Sequence, residues 1–599
     1  MLIRKENPRF SPGKEKDQEN LREAVSDLWY NMTQMCDKNT GKEIRRMKRF
    51  LATVLTVILT IMLVVGAAAG FILYRKYKPS KEHVDQKEWY QASGDETAVF
   101  FNSERVEGVQ GRYIDGQTYL PLDWVNKAVN ERFYWDEENS QLIYTLPDQI
   151  VYANAETVGN SGKPLLVQQD GTVWLLTSLV TAYTNVRIET FDTDSVRRVF
   201  VDTSWDPQQL ADVKKNSALR VRGGVKSAVI TEVPADSEVI VLEQLENWSR
   251  VRTEDGQVGY LPNRRLKEME QRTLVSTFAE PEYTSISMDE PVVLVWHQVT
   301  NLSANQAMKT LMDNTKGVNV IAPTWFMLTD NNGNYESLAD RNYVDQAHAM
   351  GVQVWAVLDN FNKGDEVQSE ILFASTAARK KLITSLMQDA KTYGVDGINL
   401  DIEGIKASAG PHYVQFIREL SVDCRKEGLV LSIDSYVPAS YSAFYNWAEQ
   451  GRVADYVVMM GYDEHYAGGE AGSVASIGYE RQGIADLLKQ VPKEKIISAI
   501  PFYTRIWKED ASGTSSQAVG ISGAKAWVET NQVELYWQDD LGQYYGELEK
   551  DGVNYEIWME EERSLALKMQ LIRDNGLAGV ACWRLGMESA EIWDTVKLP

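Results

Sequence analysis

One stretch of twelve residues, YGVDGINLDIEG (393–404), constrains the fold more than any other. Its aliphatic residues alternate with polar ones, which predicts a β-strand. Side chains alternate faces along a strand, so Asn399, Asp401 and Glu403 are expected on one face. An acidic strand end is often only a solvated edge. Here, however, burying an amide and two carboxylates on one strand would cost free energy, which indicates that these groups have a functional role.

The flanking segments predict helices at about 375–393 and 412–427. Helix, strand, acidic tip and helix make up the repeating unit of a parallel α/β barrel, in which the strand tips carry the chemistry. Two carboxylates in one site are also what acid-catalysed sugar chemistry needs.

The motif resembles the Asp-Gly-x-Asp-x-Asp-x-Glu signature on the fourth barrel strand of family 18 glycoside hydrolases, the chitinase-like enzymes. Asp396, Gly397, Asp401 and Glu403 match that signature, whereas Asn399 replaces its middle aspartate. Segments 457–463, 499–507 and 579–586 resemble the sixth, seventh and eighth strands of the same family. The family positions that match in these segments are Met460, Tyr462, Asp463, Tyr503 and Trp583. The Asn-for-Asp change and the stretch GSVASIGYE (472–480) are more similar to the spore-cortex and cell-wall N-acetylglucosaminidase branch than to true chitinases.

The resemblance implies roles for three catalytic residues. Glu403 would be the general acid, while the 2-acetamido oxygen of the substrate attacks in place of a protein nucleophile. Asp401 would accept a hydrogen bond from the acetamido N–H, and Tyr462 would donate one to the acetamido oxygen. Asn399 could donate a hydrogen bond that fixes Asp401. The expected substrate-binding residues are Asn399, Asp396, Asp463, Tyr503, Trp583 and Met460, with no cofactor and no metal.

The predicted fold class is α/β, with a C-terminal (β/α)8 TIM barrel over 288–599 and a small α+β insertion at about 508–559. The remaining barrel strands are predicted at 292–299, 318–328, 352–361 and 429–438, because each is a largely apolar run. Tryptophans near the predicted strand ends could be core or could stack on sugar rings. They are Trp296, Trp325, Trp355, Trp507 and Trp583, and the resemblance favours the cleft for Trp583.

Residues 50–74 form an uncharged run long enough to cross a bilayer core of roughly 30 Å as a helix. A cleaved signal peptide is the alternative. Basic residues before the run place segment 1–49 in the cytoplasm and the rest outside, as in a Gram-positive single-pass surface protein. Residues 21–35 have helical spacing and could form an interfacial or partner-binding helix, or a helix without a role.

Two further modules are predicted after a linker at 75–96. Residues 97–205 contain two weak repeats, each an Asp-Gly turn, a strand, a short helix and a hairpin. They loosely resemble the N-terminal stalk module of copper amine oxidases, and the plain interpretation is a spacer. Residues 217–268 resemble a bacterial SH3-like domain, which would bind peptidoglycan peptides or act as a spacer.

The net charge of −23 argues against nucleic acid as a partner. Three cysteines exclude a disulfide framework; Cys424 and Cys582 are expected to be buried. The sequence thus predicts a membrane-anchored enzyme that cleaves β-1,4 linkages beside N-acetylglucosamine in cell-wall peptidoglycan, by substrate-assisted retaining catalysis. The alternatives are a chitin-oligomer hydrolase and a non-catalytic glycan-binding protein on the same barrel.

Overall fold

The structure is a computed structural model that describes residues 26–27, 29–30, 41–192, 196–361 and 366–598. The chain divides into two compact units. One comprises the chain up to Trp89 together with Pro207–Thr273, and the other comprises Tyr90–Asp206 together with Leu274–Pro599. The helix expected at 21–35 lies largely outside the described residues, as does Cys36.

The first unit begins with a long helix, Gly41–Tyr77, whose apolar side chains are exposed. Its segment 44–77 is the one candidate membrane span in the described part of the chain, by length and composition. The backbone after the helix pairs with the β-rich domain that follows, through a bridge between His83 and Val229.

That domain is a small seven-stranded β-structure with an apolar core that includes Leu219, Val251 and Leu261. Its strands are Gln208–Asp212, Ser217–Arg220, Val229–Val233, Glu238–Gln244, Trp248–Thr253, Val258–Pro262 and Glu270–Arg272. Short helices lie at Gln86–Tyr90 and Asn263–Arg265.

The second unit begins with the repeat module predicted at 97–205, in which two segments have the same order of elements. Each copy starts at an Asp-Gly turn with positive φ, at Asp115–Gly116 and Asp170–Gly171, followed by a strand and a seven-residue helix. One seven-stranded sheet has the order Leu166–Gln169, Thr172–Leu176, Gln117–Pro121, Glu104–Ile114, Glu96–Phe101, Arg197–Asp202 and Arg187–Phe191. The helices are Leu122–Ala128 and Thr177–Tyr183, and a three-stranded sheet contains Tyr134–Asp136, Gln141–Thr145 and Ile150–Ala153.

This three-stranded sheet packs against the barrel, so the module is not the free spacer that its sequence suggests. Nε of Arg132 lies 2.9 Å from Oε1 of Glu449, and both side chains are almost fully buried. The hydroxyl of Tyr134 is 2.7 Å from Nδ1 of His412. Thr376 donates to Oδ2 of Asp136 at 2.6 Å. Buried polar contacts of this kind fix the orientation of the module on the barrel.

The C-terminal part is a closed barrel of eight parallel strands, as predicted. In chain order these strands are β1 (Val292–His297), β2 (Val320–Leu328), β3 (Gln353–Asp359), β4 (Gly397–Asp401), β5 (Val430–Tyr436), β6 (Tyr456–Met460), β7 (Ile496–Pro501) and β8 (Gly579–Trp583). An extra strand, Tyr335–Ser337, pairs with β2. The α-helices of the barrel are Met308–Met312, Arg341–Ala349, Ser369–Leu372, Thr376–Tyr393, Gly410–Glu427, Trp447–Val453, Ile477–Leu487 and Glu562–Asn575. Short 3₁₀ turns lie at Leu302–Ala307, Ala407–Ala409, Ser440–Tyr445, Lys493–Lys495 and Ala590–Asp594.

Successive side chains of β4 point to opposite faces of the barrel sheet. Ile398 and Leu400 point outward into the core between sheet and helices. Asn399 and Asp401 lie on the opposite face, toward the barrel interior. The strand therefore has the predicted apolar face and a polar face opposite it.

The insertion is a five-stranded sheet with one helix, and it begins earlier than predicted. β7 ends at Pro501, and Tyr503 already belongs to the first strand of the insertion. The sheet order is Gly513–Gly520, Tyr503–Asp510, Val553–Met559, Gln543–Lys550 and Leu535–Gln538, with the helix at Ile521–Asn531. The sequence prediction of one strand across 499–507 was wrong, because two strands of different sheets meet there.

Candidate active site

A cavity of about 540 Å³ opens at the carboxyl ends of the barrel strands. Asp401 enters it as the last residue of β4, and Glu403 follows two residues later in the loop. Met327 and Asp359 line it from β2 and β3, and Trp583 lines it from β8. In a TIM barrel this face is where the chemistry occurs.

Asp401, which is buried, and Glu403, which is half-buried, form a hydrogen-bonded pair of carboxyl groups. Burial raises the pKa of Asp401 well above its ordinary value, and the nearby Asp434, Glu403 and Asp359 raise it further. Burial also raises the pKa of Glu403, although hydrogen bonds with Tyr436 and Asp401 lower it in part. Because two neighbouring carboxyl groups cannot both ionise cheaply in a buried site, the pair retains a proton at pH values where exposed carboxyls have lost theirs.

The amide of Asn399 does not fix Asp401, contrary to the expectation from the sequence. Its Oδ1 accepts a hydrogen bond from Nε1 of Trp296 at 3.0 Å, and this donor defines the orientation of the amide. Its Nδ2 then donates to Oγ of Ser432 at 3.0 Å and to Oδ1 of Asp434 at 2.8 Å. Asn399 is fully buried and belongs to a polar cluster beneath the cavity.

The segments after β6 and β7 supply three more polar residues at the site. Tyr462 and Asp463 both line the cavity. Burial raises the pKa of Tyr462, and the negative neighbours Asp401 and Asp434 raise it further, so its phenol remains a hydrogen-bond donor. The hydroxyl of Tyr503 donates to Oδ1 of Asp463 at 2.6 Å, which fixes this carboxylate at the rim.

Of the five tryptophans predicted near strand ends, one lines the cavity and four lie in the core. Trp583 is half-buried, lines the cavity and packs on Trp296 with ring centroids 5.7 Å apart. The peptide bond that joins it to Arg584 is cis. The four fully buried residues are Trp296, Trp325, Trp355 and Trp507. The cleft alternative is therefore wrong for these four.

Two predicted site residues lie elsewhere. Asp396 precedes β4 at the opposite end of the strand, roughly 16 Å from Asp401 by strand geometry. Its Oδ2 is 2.8 Å from Nε2 of His348 and accepts a hydrogen bond from the backbone of Val354 at 2.8 Å. Met460 is buried and is not among the described residues that line the cavity. The motif match alone grouped Asp396 with the site, although five residues of strand separate the two ends.

Among the residues that the structure brings to the site, four polar ones at or near the ends of β3 and β5 were not predicted from the sequence. Asp434 lies beneath the cavity, and Asp359 lines it. Nδ2 of Asn360 donates to the backbone carbonyl oxygen of Glu403, and the hydroxyl of Tyr436 accepts from the backbone N–H of Gly404 at 3.0 Å. Three of these four stand at the carboxyl end of β3 or β5, so the rule applied to β4 could have found them.

The arrangement combines an acid pair, a phenol donor, a rim carboxylate and an aromatic surface. These are groups for protonating a leaving oxygen and for stacking a sugar ring. Within the residues that the structure describes, no cluster of histidine, cysteine, aspartate or glutamate is arranged to hold a metal ion. Cys424 and Cys582 are buried and unpaired, as predicted.

Comparison with known proteins agrees with this chemistry. Residues 364–588 match the model of glycosyl hydrolases family 18, and residues 215–267 match the bacterial SH3 domain. The chain is 26% identical over 293 residues to the uncharacterized glycosylase YvbX of Bacillus subtilis, covering 47% of this chain and 84% of that protein. It is 28% identical over 262 residues to the cortical fragment-lytic enzyme of Bacillus subtilis, covering 42% of this chain but only 61% of that enzyme.

Among solved structures, the spore cortex-lytic enzyme SleL of Bacillus cereus is similar, with a TM-score of 0.47 and 20% identity, covering 55% of this chain and 76% of that chain. The barrel architecture, its acid pair and the family-model match lead to one conclusion. The C-terminal barrel of this chain is a family 18 glycosyl hydrolase domain, a glycosidase, and a bacterial SH3 domain precedes it.

Proposed function

We propose that the barrel cleaves β-1,4 linkages beside N-acetylglucosamine in cell-wall peptidoglycan or a related glycan, by substrate-assisted retaining catalysis. The observation that carries this proposal is the coupled pair Asp401 and Glu403 at the cavity, with Tyr462 beside it. A pair that shares one proton can present an acid and a carboxylate to the substrate at the same time.

Glu403 is the general acid of the proposed reaction. It lines the cavity, and its raised pKa favours the protonated form that a leaving glycosidic oxygen needs. With the shared proton on Glu403, Asp401 is a carboxylate. The hydrogen bond between the two side chains allows the proton to occupy either of them.

Asp401 orients the substrate acetamido group in this scheme. Its buried Oδ1 has no hydrogen-bond partner among the described residues, so it can accept the acetamido N–H. Tyr462 donates its hydroxyl to the acetamido oxygen as that oxygen attacks the anomeric carbon. The proton of Glu403 goes to the leaving oxygen, and water later opens the oxazolinium ring with retention. Asp463 and Trp583 bind the sugar around this centre, and Tyr503 holds Asp463 in place.

Three features support a wall glycan as the substrate. The apolar helix at 44–77 fits a membrane anchor, with the N-terminus in the cytoplasm and the barrel outside. The bacterial SH3 domain fits a wall-associated protein. Several relatives of the barrel are named cortical fragment-lytic enzymes.

The test uses the full chain in membranes, with purified wall glycan, the same glycan after de-N-acetylation, and chitin oligomers. Release of reducing ends from the acetylated wall glycan and none from the deacetylated form is expected. Equal release from both forms would exclude participation of the acetamido group. Turnover of chitin oligomers but not of wall glycan would support the proposed mechanism and would show that the substrate is chitin oligomers instead of wall glycan.

A further inference from the structure

The segment after β6 carries two of the residues that line the cavity, Tyr462 and Asp463. Gly461 precedes them and Glu464 follows them. Asp463 has a φ of 57°, a left-handed conformation that few residues other than glycine adopt. Such a conformation persists only where the surrounding structure holds the backbone in place. The contacts of Gly461 and Glu464 therefore decide how the two cavity residues are presented.

The helix Ile477–Leu487 holds the end of this segment through Glu464. Oε2 of Glu464 accepts a hydrogen bond from the backbone N–H of Ser476 at 2.7 Å, and its Oε1 accepts one from the hydroxyl of Ser476 at 3.1 Å. Ser476 is the N-cap of that helix, and its Oγ accepts a hydrogen bond from the backbone N–H of Tyr479 at 3.1 Å. The carboxylate of Glu464 thus joins the segment to the first turn of the helix.

One turn further along the same helix, Glu480 contacts the start of the segment. Glu480 is 1% exposed, and its Oε2 accepts a hydrogen bond from the hydroxyl of Ser498 on β7 at 3.1 Å. A Cβ atom on Gly461 would lie only 2.7 Å from Oε1 of Glu480, so the carboxyl group packs directly against the backbone of Gly461. On the side of β7, the backbone N–H of Gly461 donates to the carbonyl oxygen of Ala499 at 3.0 Å. Tyr462 and Asp463 therefore lie between two points that one helix holds.

A carboxyl group buried in this place costs more free energy than an apolar side chain would, so its presence requires a reason. Oε1 of Glu480 has no hydrogen-bond partner among the described residues. The buried cation that acts on Glu480, Lys568, is already bound by Glu560 at 2.9 Å. Burial raises the pKa of Glu480 to about 8, so the group is mainly an uncharged acid at neutral pH. Its contact with Gly461 depends on the shape of the side chain and not on a charge.

We propose that Glu480 is a positioning residue, which holds the backbone at Gly461 and thereby fixes the direction in which Tyr462 presents its hydroxyl to the cavity. Glu480 is not among the described residues that line the cavity, so it acts through Tyr462. The inference rests on the proposed function, in which Tyr462 donates to the attacking acetamido oxygen. That hydrogen bond strengthens in the transition state, so a displaced phenol should lower kcat more than it changes KM.

The first test compares kcat and KM of the full chain on acetylated wall glycan between wild type, Glu480→Ala and Glu480→Gln. Glu480→Ala should lower kcat by about tenfold to 100-fold and change KM by less than about threefold. Glu480→Gln should keep kcat within about threefold of wild type, because the amide has nearly the same shape. Ile484→Ala is the matched control, since Ile484 is buried on the next turn of the same helix and packs in the apolar core. An equal loss of kcat in Glu480→Ala and Ile484→Ala would overturn the proposal.

A double variant separates positioning from a role in stability alone. In a Tyr462→Phe background the hydroxyl that Glu480 positions is gone, so adding Glu480→Ala should lower kcat by less than about threefold. Two residues that act through one hydrogen bond are not additive, whereas two independent effects on the enzyme are. A loss of the same size in both backgrounds would show that Glu480 does not act through Tyr462.

Fluorine NMR separates this inference from the proposed function, because it needs no turnover. A single fluorotyrosine in place of Tyr462 should give the same resonance in wild type and in Glu480→Gln, and a shifted or broadened one in Glu480→Ala. If wild type shows no turnover but this difference is present, the proposed function fails and the positioning of Tyr462 by Glu480 is supported. If turnover is present but the resonance is the same in all three proteins, the role of Glu480 is refuted and the glycosidase proposal remains.

Discussion

Asn360 and Glu403, which follow the ends of the neighbouring strands β3 and β4, exchange two hydrogen bonds. Nδ2 of Asn360 donates to the backbone carbonyl oxygen of Glu403 at 2.8 Å, and the backbone N–H of Glu403 donates to Oδ1 of Asn360 at 3.0 Å. Glu403 follows the end of β4, where strand pairing no longer fixes the backbone. This reciprocal pair therefore positions the proposed acid over the cavity.

Asn360→Ala should lower kcat/KM by about tenfold to 100-fold, because small displacements of a catalytic group are costly. The measurement is steady-state turnover on acetylated wall glycan. Asn263→Ala is a matched control, since Nδ2 of Asn263 donates to the carbonyl oxygen of Leu245 at 2.8 Å in the SH3 domain. Equal activity of the two variants would show that Asn360 does not position Glu403.

Asp359 links the cavity to the pH dependence of stability. It is 3% exposed, and burial raises its pKa to about 6. The folded protein then binds more protons than the unfolded chain between about pH 4 and pH 6, so the free energy of unfolding falls as pH rises. This group accounts for a loss of at most about 3 kcal/mol across that window.

Asp359→Asn should remove that part of the pH dependence. Denaturant unfolding of the barrel at several pH values measures it, as the difference between wild type and variant. Asp345→Asn is the control, because Asp345 lies exposed on a surface helix. A wild-type curve parallel to that of Asp359→Asn between about pH 4 and pH 6 would contradict the assignment.

The contact between the repeat module and the barrel should contribute to stability. Glu449 binds Arg132 of the module at 2.9 Å and Arg418 of the barrel at 2.7 Å. Arg132→Ala leaves a buried carboxylate with fewer partners and should lower the free energy of unfolding by about 3 kcal/mol. Arg341→Ala removes an exposed pair with Asp345 and should cost at most about 0.5 kcal/mol. Similar unfolding midpoints for both variants would show that the module does not stabilise the barrel.

The acidic tip of β4 and the first, second, third and fifth strands were predictable because apolar runs and alternation act locally along the chain, and the family resemblance supplied the sixth to eighth strands. Asn399 shows where local reasoning ends. Its partners Trp296 and Asp434 lie 103 and 35 positions away in sequence, so only the closed barrel reveals that it binds them rather than Asp401.

Two other differences have physical causes of the same kind. Asp396 matches a motif by residue type, yet strand geometry carries it to the far end of β4. The repeat module has the sequence pattern of an independent stalk. It packs on the barrel through contacts such as that of Arg132 with Glu449, which lies far away in the chain. A local pattern cannot contain these contacts.

The most direct test of the central claim compares reducing-end release from acetylated wall glycan by wild type and by Glu403→Gln, with folding of both checked by thermal unfolding. Gln keeps the shape of the side chain but cannot donate an acid proton. We expect turnover by wild type and a loss of at least about 100-fold in the variant. Equal release by both proteins would show that Glu403 is not the acid and that this cavity does not catalyse the cleavage.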